Sequence, residues 1–188
     1  MRIAYTPNPP PTTSPEEEAI LDRIRTRRGS RGLTTLDLAL LHSPPVADGW
    51  NTFVGAIRTN TSLTADIREL VICRVAYLHR AWYEWRAHAP IAVAAGVSQE
   101  GMDVLRDRGR LNDDRGCGLD ERQRAAFEYA TSMVMGIRVP DEVFDGVRGL
   151  FNDREILEMT VTIGQYIATA KLLTTLDIGE QNDHGWTE

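Results

Sequence analysis

The sequence predicts an all-α fold in a single domain. Apolar residues recur at intervals of three and four along most of the chain, as they do on one face of a helix. No segment alternates between apolar and polar residues in the manner of a half-buried strand. The 188 residues, of which 42% are hydrophobic and 26% charged, suit one soluble domain with its own core. We expect this domain to cover residues 16–180.

The two ends of the chain differ from the rest in composition. Residues 1–15 contain five prolines and show no apolar periodicity. We therefore expect an extended N-terminal arm that is either disordered or wrapped on a neighbouring subunit. Residues 181–188 are predicted to form a C-terminal tail.

Three helices are predicted in the first part of the domain. Residues 16–28 have acids in the first turn and arginines in the last, which suits the helix dipole, and Gly29 ends the helix. A second, short helix covers 33–41 and is closed by Ser43-Pro44-Pro45. A third covers 46–58, with four large apolar side chains on one face: Trp50, Phe53, Val54 and Ile57.

The middle of the chain is predicted to hold three more helices. The first covers 64–79, and the next covers 81–95, where Pro90 removes one amide donor and predicts a kink. Gly96 is suited to end that helix in a left-handed conformation. A helix at 98–108 leads to a glycine-rich loop at 109–118.

The last three predicted helices cover 120–135, 141–151 and 152–176. Asp120 and Gln123 have the spacing of a capping box at the start of the first one. The third is nearly apolar on all sides, which indicates a buried helix.

Composition excludes several classes of function. The net charge of −6 and the absence of a basic run argue against a nucleic-acid surface. No stretch has the length and apolar character of a membrane span or of a signal peptide, so we expect a cytoplasmic protein. Cys73 and Cys117 lie in unlike contexts and indicate neither a disulfide framework nor a metal cluster.

The stretch from Arg68 to Ser98, RELVICRVAYLHRAWYEWRAHAPIAVAAGVS, resembles the core of the carboxymuconolactone decarboxylase family, which includes the alkyl hydroperoxidase D-like proteins. Hydroperoxidase members carry a Glu, a CxxC pair and a His four residues after the second cysteine. The matching positions here are Glu69, Ala81, Glu84 and His88. Both redox cysteines are missing, and alanine and glutamate cannot carry out thiolate attack or form a disulfide. The remaining ExxxH pattern is closer to the decarboxylase branch.

The resemblance extends over residues 41–178. It implies an alkyl hydroperoxidase D-like helical bundle that assembles as a homo-oligomer, either a trimer or a hexamer. It identifies the fold more specifically than the reaction, because one fold hosts several chemistries.

Glu84 and His88 are the candidate acid–base pair. Four residues apart on a helix, they lie on one face, and a carboxylate beside an imidazole raises its pKa and fixes its tautomer. Glu69 reaches the same face if the two helices pack antiparallel. The alternative is structural: a solvated pair of side chains for Glu84 and His88, and an ion pair with Arg68 or Arg86 for Glu69.

Further side chains are candidates for substrate binding: His42, Trp82, Tyr83, Tyr166 and Lys171. Each has a structural alternative. The aromatic rings can pack in the core or between subunits, a histidine at a helix end can bond a carbonyl, and a lysine can extend to solvent. The histidines lack HxxxH and HxH spacing, so we expect no metal site.

The function expected from these residues and from the resemblance is that of a cofactor-independent acid–base enzyme. Its substrate would be a small oxidised acid with a carbonyl or lactone group. His88 would move the proton, Glu84 would orient His88, and Glu69 would set the local charge. Decarboxylation, lactone opening and isomerisation use the same groups, and the sequence does not choose among them. The alternatives are a hydroperoxidase that relies on Cys73 alone and a non-catalytic oligomeric ligand-binding protein.

Overall fold

The computed structural model describes residues 1–106 and 118–180. These two ranges contain helices and no β-strand, so the fold is all-α as predicted. The predicted loop at 109–118, apart from Gly118, and the tail at 181–188 lie outside the described residues. The helices are α1 (Pro15–Arg28), α2 (Thr35–Leu40), α3 (Pro44–Thr59), α4 (Ala65–Leu78), α5 (Trp82–Ala94), α6 (Gln99–Val104), α7 (Glu121–Met135), α8 (Asp141–Leu150) and α9 (Asp153–Leu176).

Short polar motifs fix where several of these helices begin. α7 starts with the predicted capping box, in which Asp120 accepts from the Gln123 amide at 2.8 Å and the Gln123 side chain accepts from the Asp120 amide. Equivalent boxes begin α2, with Thr34 and Asp37, and α9. Such caps satisfy amide groups that the first turn of a helix leaves without partners. Local sequence therefore sets where α2, α7 and α9 begin.

The helix α4 is the centre of the bundle. It packs against α5, α7 and α9, and the residues from Leu70 to Ala76 are all fully buried. A helix surrounded in this way carries apolar side chains on every side. Two charged residues, Glu69 and Arg74, are nevertheless buried in it.

The first three helices form a smaller lobe beside this bundle. Their shared apolar cluster consists of Ile20, Leu21, Ile24, Leu40, Leu41 and Ala47. α1 packs on α3, and α3 reaches α9 of the bundle. The junction between the lobe and the bundle is where the candidate site lies.

The helix α9 is buried on one face and open on the other. Met159, Ile163 and Tyr166 face the core, whereas Leu157 is 64% exposed and Lys171 is also exposed. The prediction that this helix is buried on all sides is therefore wrong. Its open face contains Gly164, which has no side chain, and Ala168, whose single methyl group exposes little apolar area to water. No described helix has the length and hydropathy needed to cross a bilayer.

The N-terminal arm packs against its own chain. The Arg2 amide donates to the Leu176 carbonyl at 2.7 Å, and the Gly179 amide donates to the Tyr5 hydroxyl at 2.8 Å. These contacts order the start of the arm on its own chain, contrary to the expectation of a disordered arm, and a contact of the arm with a neighbouring subunit stays a prediction. The backbone of Gly179 has a φ of +83°, and a Cβ there would overlap the ring of Tyr83. This position accepts only glycine without movement of the tyrosine.

Candidate active site

A cavity of about 170 Å³ lies between the small lobe and the bundle. The side chains of Glu84, His88, Tyr83 and Tyr166 line it from α5 and α9. The small lobe supplies arginines to the opposite part of the wall. Two titratable groups predicted from the sequence, Glu84 and His88, therefore reach one concave and largely buried space.

Glu69 and His88 form a buried hydrogen bond between α4 and α5. The Nδ1 atom of His88 lies 2.6 Å from Oε2 of Glu69, and both side chains are at most 7% exposed. Burial by itself would raise the pKa of Glu69, but the bond from His88 and the positive charges of Arg58 and Arg68 bring that pKa below its ordinary value. Since the carboxylate can only accept, Nδ1 carries the hydrogen and Nε2 keeps its lone pair.

The partner of His88 is Glu69, whereas the sequence predicted Glu84. The predicted direction of the pKa shift is also wrong. Burial lowers the pKa of His88, and the hydrogen bond and charge of Glu69 offset this effect only in part. The imidazole is therefore neutral at neutral pH and is suited to accept a proton.

Glu84 is a buried carboxyl group in the cavity wall. Its residue is 3% exposed, and among the described residues its Oε2 atom has no hydrogen-bond partner. Burial raises the pKa of Glu84 well above its ordinary value, and the positive charge of Arg58 opposes this only in part. A carboxyl group held in its protonated form can donate a hydrogen bond to a bound ligand.

Two tyrosines complete the wall next to these groups. The ring of Tyr166 meets the imidazole of His88 edge to face, with centroids 5.3 Å apart and an angle of 87°. Burial raises the pKa of Tyr166, so its hydroxyl stays protonated. Thr35 donates to the hydroxyl of Tyr83 at 3.1 Å. Both tyrosines were predicted as substrate-binding residues, and the structure places both at the cavity.

The structure does not bring the other predicted binding residues to this cavity. His42 is exposed, with Nε2 2.7 Å from the Ala4 carbonyl oxygen. Trp82 is 7% exposed and packs edge to face on Tyr77, so its ring belongs to the core. Lys171 lies on the open face of α9. These three side chains therefore have the structural roles that were the alternative to substrate binding: His42 bonds a carbonyl, Trp82 packs in the core and Lys171 extends to solvent.

The sequence analysis missed the arginines of the cavity. Arg27, Arg28, Arg31 and Arg58 line it, and a neighbouring cavity of about 360 Å³ adds Arg68 and reaches Glu69. The sequence does contain a cluster of arginines at 23–31, RIRTRRGSR. Cations at the C-terminal end of a helix are stabilised by the helix dipole, so this cluster did not indicate a binding site. Nothing in the sequence indicates that this helix end faces His88.

Cys73 does not have the environment of a reactive thiol. Its side chain is fully buried in α4, and burial, together with the negative charges of Glu69 and Glu84, raises its pKa. A thiol of this kind is rarely a thiolate and reacts slowly. Cys117 lies outside the described residues. Within those residues, no group of three or more side chains could hold a metal ion.

Comparison with known proteins gives a match to one family model and a set of solved structures with the same fold. The model of the carboxymuconolactone decarboxylase family matches residues 44–131. No curated protein matches the chain.

Several solved structures share the fold at low identity. An uncharacterised peroxidase-related protein from Silicibacter sp. TM1040 is 16% identical, with a TM-score of 0.69 and coverage of 92% of each chain. A protein of unknown function from Agrobacterium tumefaciens, named as a candidate antioxidant defence protein AhpD, is 17% identical, with a TM-score of 0.63 and coverage of 72% of this chain and 90% of its own. A variant of the debrominase Bmp8 in complex with 2,3,4-tribromopyrrole is 15% identical, with a TM-score of 0.68 and coverage of 90% and 87%. At these identities the likeness concerns the fold.

Proposed function

We propose that this chain, whose residues 44–131 match the model of the carboxymuconolactone decarboxylase family, is an acid–base enzyme acting on a small acid that bears a carbonyl or lactone group. One observation carries the proposal. The imidazole of His88, bonded to the Glu69 carboxylate and lowered in pKa by burial, and the buried carboxyl group of Glu84, raised in pKa, line the same cavity. Two titratable groups with different protonation preferences are what a proton-transfer site requires.

In the proposed mechanism His88 is the base. Its Nε2 atom removes the proton from a carbon next to the substrate carbonyl, and the bonding electrons of that carbon move onto the carbonyl oxygen. Glu69 stabilises the imidazolium that forms, since its carboxylate already accepts from Nδ1. Glu84 donates a hydrogen bond to the oxygen where the negative charge develops.

The reaction is completed when the imidazolium returns the proton. Delivery to a remote carbon gives an isomer. In a decarboxylation no proton is removed from carbon: the bond to the carboxylate breaks, carbon dioxide leaves and the bonding electrons enter the carbonyl system. His88, after taking a proton from solvent on Nε2, then donates it to the carbon that lost carbon dioxide. In a lactone opening, the electrons of the enolate form a carbon–carbon double bond and expel the ring oxygen as a carboxylate, and the imidazolium releases its proton to solvent. These reactions share a developing enolate, and stabilising it is the task that Glu84 and His88 can perform together.

Thiol-based peroxidase chemistry has little support in this chain. Ala81 and Glu84 occupy the positions that the CxxC pair holds in the hydroperoxidase branch. Cys73 is the cysteine nearest to the site in sequence, and its burial keeps it in the thiol form. The described residues therefore favour proton transfer over redox chemistry.

Proton exchange tests the proposal before the substrate is known. A panel of small 2-oxo acids and unsaturated lactone acids is incubated with the protein in deuterium oxide, and deuterium at carbon is followed by NMR. We expect at least one compound to exchange, and His88→Ala to slow this by about 10²–10⁴-fold, the usual contribution of a positioned acid–base group. His79→Ala is the control, since Nδ1 of His79 bonds the Val75 carbonyl oxygen and does not line the cavity.

Two results would contradict the proposal. The first is exchange that persists at the wild-type rate in a folded His88→Ala variant. The second is tight binding of a panel compound without any exchange, which would support the non-catalytic ligand-binding alternative.

A further inference from the structure

Five arginines converge on the larger cavity beside the acid–base groups. They are Arg27, Arg28, Arg31, Arg58 and Arg68, and they come from α1, the turn after it, α3 and α4. The first four also line the smaller cavity, so the two spaces share one wall. Three of these arginines precede residue 44, where the family match begins. The arginine wall is therefore largely a feature of the part of the chain outside that match.

The positive charge of this wall is only partly balanced within the described residues. Arg28 pairs with Asp37 at 2.6 Å, and Arg68 has a weak contact with Glu69 at 3.4 Å. In that same part of the chain, Arg31 and Arg58 make no ion pair, and Arg27 donates to the neutral amide oxygen of Asn51. Glu84 contributes no negative charge while it is protonated.

The positive charges of these arginines repel one another unless an anion binds in the cavity. Burial lowers the pKa of Arg27, and the neighbouring charges of Arg28 and Arg58 lower it further. The guanidinium group presents a planar fork of donors that matches the oxygens of carboxylate and phosphate groups. An oxyanion in this cavity would neutralise the excess charge and would receive several charge-assisted hydrogen bonds.

We propose that the arginine cavity binds a dianionic group of the substrate, either a phosphate or a pair of carboxylates. The reacting part of the same molecule then lies in the smaller cavity against Glu84 and His88. This second half rests on the proposed function, whereas the anion site stands on the arginine wall alone. A monoanion would leave much of the positive charge of Arg27, Arg31 and Arg58 unbalanced.

Calorimetric titration with simple anions tests the site without a substrate. Inorganic phosphate, malonate and acetate are titrated into the protein in a low-chloride buffer at pH 7.5. We expect phosphate or malonate to bind at least about 10-fold more tightly than acetate, because a dianion can accept one more charge-assisted hydrogen bond and such a bond is worth about that factor in affinity. The stronger of the two dianions identifies the source of the charge.

Substitutions then locate the binding. Arg31→Gln and Arg58→Gln should each weaken dianion binding by about 10-fold or more, since each removes one such bond. Arg25→Gln is the matched control on α1, because Arg25 is exposed, pairs with Asp22 and lines neither cavity. Circular dichroism confirms that each variant is folded. Dianions that bind no better than acetate, or that bind equally well to both cavity variants, would overturn the inference.

The same titrations separate this inference from the proposed function. Dianion binding that survives in His88→Ala, together with loss of proton exchange, supports both. Absence of dianion binding in a wild-type protein that exchanges protons overturns the anion site alone. Dianion binding by a wild-type protein that exchanges nothing leaves the anion site and removes the acid–base function.

Discussion

His88 and Glu69 are joined across two helices by a bond of 2.6 Å between Nδ1 and Oε2. The bond fixes the ring of His88 on α5 by means of a residue on α4, the central helix of the bundle. Orientation of a base by a carboxylate that is itself rigidly held limits the tautomers and rotamers available to the ring. Glu69 therefore positions His88, and substitutions there should change the behaviour of that ring.

Glu69→Gln should lower the rate and shift its pH dependence. A glutamine oxygen still accepts from Nδ1, but the charge that stabilises the imidazolium is lost. We expect a rate decrease of about 10- to 100-fold, equivalent to the roughly 1.5–3 kcal/mol of a hydrogen bond to a charged group. Glu69 raises the pKa of His88 against the larger effect of burial, so its removal lowers that pKa further. The neutral base then persists to lower pH, and the acid limb of the pH–rate profile moves to lower pH.

Asp66→Asn is the control for this experiment, since Asp66 lies on the same helix and accepts a hydrogen bond from Gln123. Its pH–rate profile should overlay that of the wild type. An acid limb in Glu69→Gln that moves to higher pH would contradict the assigned partnership.

Glu84→Gln should separate stability from activity. In the unfolded chain Glu84 loses its proton near pH 4.5, whereas in the folded protein its pKa is well above that value. The stability that the protonated group contributes is present below pH 4.5 and is lost as the pH rises through the folded pKa. Relative to Glu84→Gln, the wild type should therefore lose stability with rising pH, by about 1.4 kcal/mol for each unit of pKa displacement.

Urea denaturation at pH 5 and at pH 8 measures this difference, and the rate of proton exchange is measured on the same samples. We expect a loss of rate of about 10²-fold or more in Glu84→Gln, because the amide is a poorer donor to a developing enolate. A variant whose stability follows that of the wild type across this range would show that Glu84 is ionised in the folded protein.

Cys73→Ser should leave activity and peroxide handling unchanged. The buried thiol has a raised pKa, so in the native protein it should resist an aromatic disulfide reagent and should react only after unfolding. If the native protein reacts rapidly with this reagent, the same measurement on Cys73→Ser and on Cys117→Ser shows which cysteine reacts. Turnover of an alkyl hydroperoxide with a dithiol reductant that disappears in Cys73→Ser would revive the hydroperoxidase alternative.

We propose that the protein forms a homo-oligomer, a trimer or a hexamer. Large apolar side chains such as Phe53, at 45%, and Val93, at 47%, are exposed in the single chain. Of the two packing alternatives for Trp82, the core or a contact between subunits, its burial within the chain favours the core. Light scattering over a range of concentrations should give a multiple of the 21.0 kDa chain mass, and Phe53→Ser should favour the smaller species. A stable monomer at micromolar concentration would contradict the assembly.

The elements of the fold follow from the sequence more directly than the site does. The start of α7 is encoded by two nearby residues, Asp120 and Gln123, and the prediction agrees with the structure. The spacing of Glu84 and His88 shows that they share a helix face, but a spacing cannot show that the ring of His88 turns towards α4. That choice depends on how two helices pack.

The arginine wall illustrates the same limit over a longer range. Arg27 and His88 are 61 positions apart in the chain, and they line one cavity only because α1 and α3 dock beside α5 and α9. A local pattern of cations at a helix end has a sufficient local explanation. The arginines come to lie beside His88 through tertiary contacts, which a local sequence pattern cannot predict.

The contact between Gly179 and Tyr83 makes the width of the smaller cavity depend on a residue outside it. Tyr83 lines the cavity, and its ring rests on the backbone just after α9, where a side chain would overlap it. Any larger residue at 179 must displace the ring, and the amide of the same residue donates to the hydroxyl of Tyr5 in the N-terminal arm. Residues that never meet a ligand can therefore change which ligands fit, and the turn after α9 is a place where selection for a new substrate could act without altering a single acid–base group.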